Sequence, residues 1–540
     1  MPNALFVSYA GYPFTPSSLC PDNGLANLAA VLQEHGWNVQ ILDFGTVEMM
    51  QRLYPSELAA EIGPALAELT QAQGSPSPAL IGKLAELNAR LDAHQAQEAA
   101  AVASEVADRV ADVEPAFVGF KLWNGDGFSG SVTIAEELRR RFPKLTMYAG
   151  GPHASWMGRI IYERTDAFAG IVVGEGEDKI LALAEAARKG TAVDTIPGVV
   201  TSAQSDAKAT NAVNLDEIPP ASYDPETYPA MVGDQKLKLI VLDDSRGCPY
   251  GCAFCTHPVE SGRRLRTRSA RRIVDDMERI IAQTGTRSFR FAGSSTPGSI
   301  MADVAQEILR RGLEVQYSSF AHFASSTPQH FELMRRSGLV SMFFGLETGS
   351  EHLLERAAGK PIKFADLRST VLAAQNAGIV VVVSMIVPMP FETEETMAES
   401  VRVLEEIRPD SVPVQFPGLL PGTPWFERAE EYGFEVDRLQ YLRENLDYKI
   451  KLLFPPAFWA PLPYRLNGMD FHQFTALTAR FAAQLEQRGI LTGVPDDNVL
   501  MAHRANMGLR QFRDAARLWC ATGNVPAMAQ FVRTFNAASR

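Results

Sequence analysis

Three of the five cysteines in this 540-residue chain lie within eight consecutive positions. They are Cys248, Cys252 and Cys255, spaced as C-x3-C-x2-C. A structural zinc site needs four ligands and usually pairs two C-x2-C knuckles. His257 follows Cys255 too closely to be a well-placed fourth ligand, although zinc stays open as the alternative. A [4Fe–4S] cluster held by three thiolates instead leaves one iron free to bind a small molecule, which is a reason to omit the fourth ligand.

The composition argues against several classes of function. The formal net charge of −12 disfavours a nucleic-acid partner, because nucleic-acid binders usually carry a basic footprint. The apolar run at 377–387 is too short to span a bilayer as a helix, and the N-terminus does not resemble a signal peptide. We therefore expect a cytoplasmic protein without a membrane partner. In a reducing compartment, clustered cysteines indicate metal or redox chemistry rather than disulfides.

The segments before the cysteines predict an α/β domain over residues 1–200. Short apolar runs alternate there with helical patterns, which is typical of a doubly wound, Rossmann-like parallel sheet. Ligands of such sheets bind beyond the carboxyl ends of the strands. A stretch rich in Ala, Glu, Gln and Leu at about 45–110 predicts a helical insert. Residues 201–236 contain clustered prolines and no sustained period, so they are predicted to be a linker.

A second alternating block at 237–430 contains six strand–helix units and predicts a partial (β/α)6 barrel. Chemistry in such barrels takes place at the carboxyl ends of the strands. The three cysteines directly follow the first predicted strand, so we expect them at that mouth. Residues 431–540 are predicted to form a mainly helical C-terminal region. Its aromatic residues Phe458, Trp459 and Tyr464 either line the mouth or pack beside prolines.

The cysteine stretch resembles the signature of the radical S-adenosylmethionine (SAM) superfamily. The points of similarity are the cysteine spacing, Phe254 before the last cysteine, Arg246-Gly before the first, and the position after the first strand of a β/α block. The resemblance implies a [4Fe–4S] cluster on Cys248, Cys252 and Cys255, with SAM bound to the open iron. In that family an electron from the cluster cleaves SAM to methionine and a 5′-deoxyadenosyl radical.

Other segments resemble the same superfamily. The run Arg266-Thr-Arg-Ser follows the cluster loop, and residues 343–350, 388–396 and 417–426 resemble segments at the fourth, fifth and sixth strands. The SAM-binding residues that the resemblance implies are Phe254, Gly293, Ser294, Ser318, Glu347 and Pro388. The segment after the second strand departs from the family pattern, because it lacks paired acids. His322, after the third strand, either faces the mouth or merely packs there, and both interpretations stay open.

The first 200 residues resemble the cobalamin-binding domain that precedes the radical SAM domain in one large branch of the family. The similarity covers residues 22–43, 114–120, 149–154 and 173–177. The cobalamin-binding residues that it implies are Asn23, Gly24, Leu25, Trp123, Gly150, Gly151, Pro152, His153, Gly174, Glu175, Gly176 and Glu177. The motif Asp-x-His-x-x-Gly, which supplies an axial histidine in some cobalamin domains, is absent from the sequence. We therefore predict cobalt without a protein histidine below it.

Together the two resemblances imply a cobalamin-dependent radical SAM enzyme. In this branch the most frequent reaction is methylation of an unactivated carbon, or of phosphorus, in a small-molecule or peptide substrate. A radical cyclisation, rearrangement or ring contraction without methyl transfer is the alternative enzyme. An iron–sulfur electron carrier or a cobalamin-sensing module is the alternative without catalysis. Either enzyme requires an external electron donor of the flavodoxin or ferredoxin type.

Overall fold

The computed structural model describes residues 1–71, 76–203, 209–212, 214–360, 362–449 and 459–540. Phe458, one of the aromatic residues considered for the mouth, lies outside these described residues. Two six-stranded sheets, both flanked by helices, confirm the predicted α/β class. None of the described helices combines the length and the apolar character needed to cross a membrane.

The first sheet is built from residues 3–200. Its strands are β1 (Asn3–Ser8), β2 (Asn38–Asp43), β3 (Phe117–Lys121), β4 (Thr146–Gly150), β5 (Gly170–Val172) and β6 (Val199–Val200). The spatial order is β2-β1-β3-β4-β5-β6, and every pair is parallel except β5 with β6. Leu5, Phe6 and Val7 in β1 are all at most 2% exposed, because helices cover both faces of the sheet.

Seven helices accompany this sheet. They are α1 (Asn23–Glu34), α2 (Val47–Leu53), α3 (Ser56–Gln71), α4 (Pro78–Val113), α5 (Asp126–Arg141), α6 (Pro152–Met157) and α7 (Ile180–Lys189). Helices α2 to α4 are inserted between β2 and β3, where the sequence predicts a helical insert. The long helix α4 buries Leu80, Leu84, Leu87 and Leu91, whose spacing of three or four residues forms one apolar stripe.

The predicted linker packs against the first sheet rather than extending away from it. Its described part contains two short 3-10 turns, Leu215–Glu217 and Pro229–Met231. The ammonium group of Lys236 lies 2.7 Å from Asp43 Oδ2, and the Tyr228 hydroxyl donates to the same carboxylate. Both partners of Asp43 are almost completely buried, so this segment ties the end of β2 to the second half of the chain.

The second half of the chain forms a parallel sheet and a small ribbon. The strands are β7 (Ile240–Leu242), β8 (Ser245–Arg246), β9 (Arg266–Thr267), β10 (Ser288–Phe291), β11 (Gln316–Ala321), β12 (Leu339–Glu347), β13 (Val380–Ile386) and β14 (Val414–Gln415). The sheet order is β7-β10-β11-β12-β13-β14, with every pair parallel, while β8 and β9 pair separately. Strands that follow one another in chain order are what a partial barrel requires, and their carboxyl ends meet at one edge.

Helices connect these strands, and the tail adds a further layer. The connecting helices are α8 (His257–Glu260), α9 (Ala270–Thr284), α10 (Gly298–Arg311), α11 (Pro328–Arg336), α12 (Glu351–Leu353), α13 (Phe364–Asn376) and α14 (Glu394–Ile407). The tail helices are α15 (Pro424–Glu427), α16 (Arg438–Leu446), α17 (Phe471–Gln487), α18 (Asp496–Arg504), α19 (Leu509–Ala521) and α20 (Val525–Ala538), with one antiparallel pair, β15 (Phe434–Val436) and β16 (Tyr464–Leu466). The helix α18 packs against β11 and β12.

Candidate functional site

A loop closed by the β8–β9 ribbon carries the three cysteines. Ser245 pairs with Thr267 and Arg246 with Arg266 at its base. Gly247 turns the chain with a φ of 78°, and a Cβ there would lie 2.3 Å from the carbonyl oxygen of Arg264. Only glycine accepts both the left-handed conformation and this close approach. The loop therefore leaves the carboxyl edge of the second sheet in a fixed direction, immediately before Cys248.

The three thiols are shielded from water but do not form a site for a single ion. Cys248 is only 9% exposed. Burial, and to a smaller extent the neighbouring cysteines, raises the pKa of Cys255 to about 12, and burial raises the pKa of Cys252 to about 11. Within the described ranges, no three His, Cys, Asp or Glu side chains converge closely enough to hold one metal ion.

The backbone of the cluster loop is anchored from two sides. Ala253 donates its N–H to Ala358 over 2.8 Å and accepts from Trp425 over 3.0 Å. The fully buried Trp425 also donates its indole N–H to the carbonyl of Ala357 over 2.8 Å. Phe254 packs with its ring centroid 5.6 Å from that of Trp425. The tail helix α15 thus supports the cysteine loop from outside the β/α block.

Glu347 and Lys360 form a buried ion pair beside the thiols. Lys360 Nζ lies 2.9 Å from Glu347 Oε1 and donates to the carbonyl of Gly345 over 2.6 Å. A Cβ at Gly345 would lie 2.1 Å from Glu347 Oε1, so the glycine makes room for the pair. Burial alone would lower the pKa of Lys360, but Glu347 and the Cys252 thiol outweigh burial and raise it. Lys360 was not predicted from the sequence, because the spacing of the cysteines carries no information about it.

The carboxylate that contacts the segment after β10 comes from the end of another strand. Asp244, which follows β7, accepts the N–H of Gly293 over 2.6 Å and the hydroxyl of Thr296. Asp244 is fully buried, and burial raises its pKa to about 6. A Cβ at Gly293 would lie 2.3 Å from the Ser245 and Thr296 hydroxyl oxygens. The N–H of Gly293 is therefore occupied within the protein, while Ser294 lines the cavity described below.

His322 lies against the cluster loop. Its ring stacks on Tyr250 with a centroid distance of 4.4 Å and an interplanar angle of 11°. Burial and the nearby Lys360 lower the pKa of His322 to about 4, so the ring is neutral at physiological pH. Its Nδ1 accepts the N–H of Ala324 over 3.3 Å, while Nε2 is buried without a hydrogen-bond partner. His322 thus packs against the cluster loop, and its place at the mouth stays a prediction.

A cavity of about 330 Å³ lies between the two halves of the chain, at the carboxyl ends of both sheets. The predicted cobalamin contacts that line it are Gly24, Leu25, Gly150, Gly151, Pro152, Gly174, Glu175, Gly176 and Glu177. The opposite wall comes from the second half, with Asp243, Ser245, Arg246, Gly247, His257, Glu260, Ser261, Ala292 and Ser294. Since Gly247 precedes Cys248 directly, the cavity adjoins the cysteine loop.

Three predicted cobalamin contacts lie beside the cavity rather than in its lining. Asn23 Nδ2 lies 3.5 Å from Asp243 Oδ1. Trp123 donates its indole N–H to Ser8 over 3.3 Å, and its ring centroid is 5.8 Å from that of His153. Burial lowers the pKa of His153 to about 4, and its Nδ1 has no hydrogen-bond partner. None of these three residues is part of the cavity lining. Their contact with cobalamin therefore stays a prediction.

Residues 243–404 match the family model of the Radical SAM superfamily. The matched segment contains the three cysteines, Glu347 and Lys360. The chain carries a radical SAM domain. This confirms the family that the cysteine stretch resembles, and the matched segment contains the loop, its ribbon and strands β10 to β13.

Curated relatives are similar over more than the radical SAM domain. An uncharacterized methyltransferase of Pyrococcus horikoshii is 25% identical over 334 residues, covering 60% of this chain and 72% of the relative. The anaerobic magnesium-protoporphyrin IX monomethyl ester cyclase of Cereibacter sphaeroides is 23% identical over 363 residues, covering 63% of this chain and 57% of the cyclase. The chain thus spans a little more than half the length of the cyclase.

One solved structure is similar along nearly the whole chain. It is the radical SAM methyltransferase TsrM from Kitasatospora setae with cobalamin and a [4Fe–4S] cluster bound. The TM-score is 0.66 at 17% sequence identity, and the superposition covers 99% of both chains. At this identity the likeness establishes the fold, and it does so for the first sheet and the tail as well as for the radical SAM domain.

Two further predicted SAM contacts of the radical SAM domain are buried. Ser318 is fully buried and donates its hydroxyl to Asp496 of α18 over 2.8 Å. Pro388 is buried directly after β13. The hydroxyl of Ser318 is therefore already used by the tail, whose position the sequence did not reveal.

Asp496 explains how α18 attaches to the radical SAM domain. Its carboxylate binds Arg290 through two contacts of 2.8 and 2.9 Å, and its carbonyl accepts the Ser341 hydroxyl over 2.9 Å. Asp496 is fully buried. The tail thus contributes an acid to the polar interior of the second sheet.

The described aromatic residues of the tail pack rather than project freely. Tyr464 is 3% exposed and donates its hydroxyl to the carbonyl of Pro417 over 2.6 Å. The ring centroid of Trp459 lies 6.1 Å from that of Phe416. Of the two interpretations, packing is favoured for Tyr464, whereas Trp459 stays a candidate for the mouth.

Proposed function

We propose that this protein is a cobalamin-dependent radical SAM methyltransferase. Its substrate is a small molecule or a peptide, and the methyl acceptor is an unactivated carbon or phosphorus. The observation that carries the proposal is the cavity between the two sheets. One wall consists of the glycine-rich strand ends of the first sheet, and the other belongs to the loop that holds Cys248, Cys252 and Cys255. Two cofactors bound at these walls would adjoin each other.

The cysteine loop has the properties that an iron–sulfur cluster requires. Cys252 and Cys255 are partly buried, and burial raises their pKa values to about 11 and about 12, so both thiols carry protons at neutral pH without metal. Cluster insertion would therefore release protons as the thiolates form. When bound, the cluster and cobalamin would supply the electron and the methyl carrier, while the protein orients the reactants.

Glu347 and Lys360 are suited to hold SAM beside the cluster. Glu347 Oε1 is engaged by Lys360, whereas Oε2 has only a 3.4 Å contact to Ser384. That second oxygen is available to accept a hydrogen bond from the amino group or the ribose of SAM. The neutral His322 ring adds an N–H without a partner at the same mouth, which suits an acceptor on SAM or on the substrate.

The cavity wall of the first sheet is suited to cobalamin. Gly150 leaves a Cβ only in ordinary contact with Val172, at 3.5 Å, so a ligand can approach the backbone there. A cavity of this volume holds part of such a ligand, and we infer that the nucleotide tail is the part that enters the slot between the strand ends. The proposal keeps the sequence-based prediction that the cobalt has no protein histidine below it.

We further propose how the barrel and the tail are arranged, which protein donates the electrons, and where the enzyme acts. The second sheet is a partial (β/α)6 barrel with its mouth at the cysteine loop, and residues 431–540 close its outside. An external flavodoxin- or ferredoxin-like protein donates the electrons. The protein acts in the cytoplasm, without nucleic acid or membrane as a partner.

A cyclisation or rearrangement without methyl transfer is the second candidate. The similarity to the Cereibacter sphaeroides cyclase favours it. The two candidates differ in product mass, because methylation adds one methylene unit and rearrangement adds nothing.

Anaerobic reconstitution tests the proposal. The full chain would be loaded with iron, sulfide and hydroxocobalamin, reduced, and incubated with SAM and a panel of small molecules and peptides. We expect 5′-deoxyadenosine and a product heavier by one methylene unit. A protein that binds both cofactors but never cleaves SAM would instead be an electron carrier or a cobalamin sensor. A chain that takes up no iron would contradict the whole assignment.

A further inference from the structure

Two arginines face each other at the base of the cysteine loop. Arg246 in β8 and Arg266 in β9 are direct cross-strand partners. Like charges directly opposite in an antiparallel pair are destabilising. A two-residue ribbon cannot offset this by its own hydrogen bonds, so the pair needs negative charge from elsewhere.

The compensating charges come from the other domain. Arg246 binds Glu177 through contacts of 2.7 and 3.1 Å, and Arg266 binds Glu175 through contacts of 2.5 and 2.9 Å. Both interactions are bidentate, the geometry that a guanidinium fork makes with a carboxylate. Glu175 and Glu177 are two positions apart in the loop after β5, and each makes its bidentate contact with a different arginine, although Arg246 also lies 3.4 Å from Glu175.

The four side chains are withdrawn from solvent. Their exposed fractions are 13% for Arg246, 8% for Arg266, 6% for Glu175 and 7% for Glu177. Asp243 adds a third carboxylate, 2.8 Å from Arg246, and Asn27 of α1 donates to Asp243 over 2.7 Å. Burial would raise the pKa of Asp243, but Arg246 holds it below its usual range. Breaking one partner of a buried pair is costly, because a charge is left without compensation.

We propose that Arg246, Arg266, Glu175 and Glu177 form a clamp that fixes the cysteine loop against the cavity wall. Arg246 precedes Cys248 by two positions, and both glutamates belong to the cavity lining. The clamp therefore joins the loop that would hold the cluster to the wall that would hold cobalamin. It rests on the proposed function only in naming these occupants. Glu175 and Glu177 act here as positioning residues, since their carboxylates are already taken by the arginines.

Hydrogen exchange on the full chain without cofactors tests the clamp directly. In Glu177→Gln we expect amides of residues 173–179 and of residues 245–267 to exchange about tenfold faster or more, both together. The matched control is Asp276→Asn. Asp276 is equally buried and binds Arg268 over 2.6 Å, but that pair lies within the radical SAM domain. The control should accelerate exchange near α9 and leave residues 173–179 unchanged.

A conservative variant keeps the test decisive if Glu177→Gln folds poorly. Arg246→Lys retains the charge but loses the fork, so it should accelerate exchange in the same two segments to a smaller extent. Unchanged exchange in either segment, in a folded variant, would overturn the proposal. Faster amide exchange in residues 245–267 alone would also overturn the proposal, because breaking the clamp must free both segments that it joins.

A second measurement uses the loaded protein. After reconstitution with a cluster and hydroxocobalamin, reduction makes both centres paramagnetic. Magnetic coupling of the cob(II)alamin EPR signal to the reduced cluster should be uniform in the wild type and weaker or heterogeneous in Glu177→Gln. Equal coupling in both proteins would overturn the clamp. If the wild type binds no cobalamin, the proposed function fails, while the exchange experiment still decides the clamp.

Discussion

Trp156, in the helix α6 beside the first sheet, donates its indole N–H to the carboxylate of Glu260 in the radical SAM domain. This hydrogen bond joins α6, on the first-sheet side of the cavity, to α8, on the side of the second sheet. Burial raises the pKa of Glu260 to about 7, and the bonds from Trp156 and Thr256 offset only part of this shift. The folded state therefore holds a proton on Glu260 at pH values where the unfolded chain has released it.

The first prediction concerns this proton. Because the folded pKa is raised, the stability contribution of Glu260 is complete below its unfolded pKa and is lost as the pH rises through about 7. Glu260→Gln should thus resemble the wild type at about pH 5 and gain about 1 kcal/mol or more relative to it at about pH 8. Denaturant unfolding at both pH values measures this. The exposed Glu163, bound by Arg443, provides Glu163→Gln as a control without such a gain. A pH-independent difference would contradict the assignment.

The second prediction concerns the cluster ligands. Cys252→Ala should abolish the cluster, because the two remaining thiolates cannot hold a [4Fe–4S] cluster that needs three. Iron and sulfide content per chain and the charge-transfer absorbance of the reconstituted protein measure the loss. Cys20→Ala is the matched control, since Cys20 is not part of the cysteine loop, is only partly exposed, and has a thiol pKa that burial also raises. An intact cluster in Cys252→Ala would remove this residue from the ligand set.

The third prediction concerns the buried pair of Lys360 and Glu347. Lys360→Met leaves the carboxylate uncompensated and should cost about 3–5 kcal/mol in unfolding free energy. Adding Glu347→Gln should restore much of this loss, because the uncompensated charge is then gone. Denaturant unfolding of both single variants and the double variant closes the cycle. Additive effects of the two substitutions would mean that the pair contributes no coupling.

The fourth prediction concerns the cavity wall. Gly150 has a negative φ and room for a Cβ, so Gly150→Leu should fold while its side chain enters the cavity. We expect cobalamin binding to weaken at least about tenfold, measured by equilibrium dialysis with hydroxocobalamin. Gly82→Leu in α4 is the control, since nothing lies within 4 Å of a Cβ there. Equal binding by both variants would place the ligand elsewhere.

The fifth prediction concerns the tail. Asp496→Asn removes the charge that binds Arg290 within the second sheet and should cost about 3–5 kcal/mol in unfolding free energy. Asp514→Asn, which affects a carboxylate 57% exposed beside Arg513, should change stability by less than about 1 kcal/mol. If the two variants were equally stable, α18 would not be anchored through this acid.

Local sequence determined the parts of this protein whose signal is contained in a short stretch. The three cysteines fall within eight positions, so their spacing and its resemblance to the radical SAM signature together imply the cluster. The alternation of apolar runs and helical patterns predicts both parallel sheets, because burial on both faces imposes it on each strand separately. Strand ends then locate the glycine-rich loops of the cavity.

Tertiary structure decided which charges meet. Arg246 and Glu177 are 69 positions apart, and Ser318 and Asp496 are 178 apart. No local period encodes such pairings, since they arise only when separately folded elements pack and bury their polar groups together. For this reason the sequence did not show that Glu175 and Glu177, which line the cavity and stay predicted ligand contacts, also bind arginines of the cluster loop. Sequence analysis did not identify Asp244, Lys360 and Glu260 for the same reason. Each is a largely buried titratable group whose partner belongs to a different element of the fold.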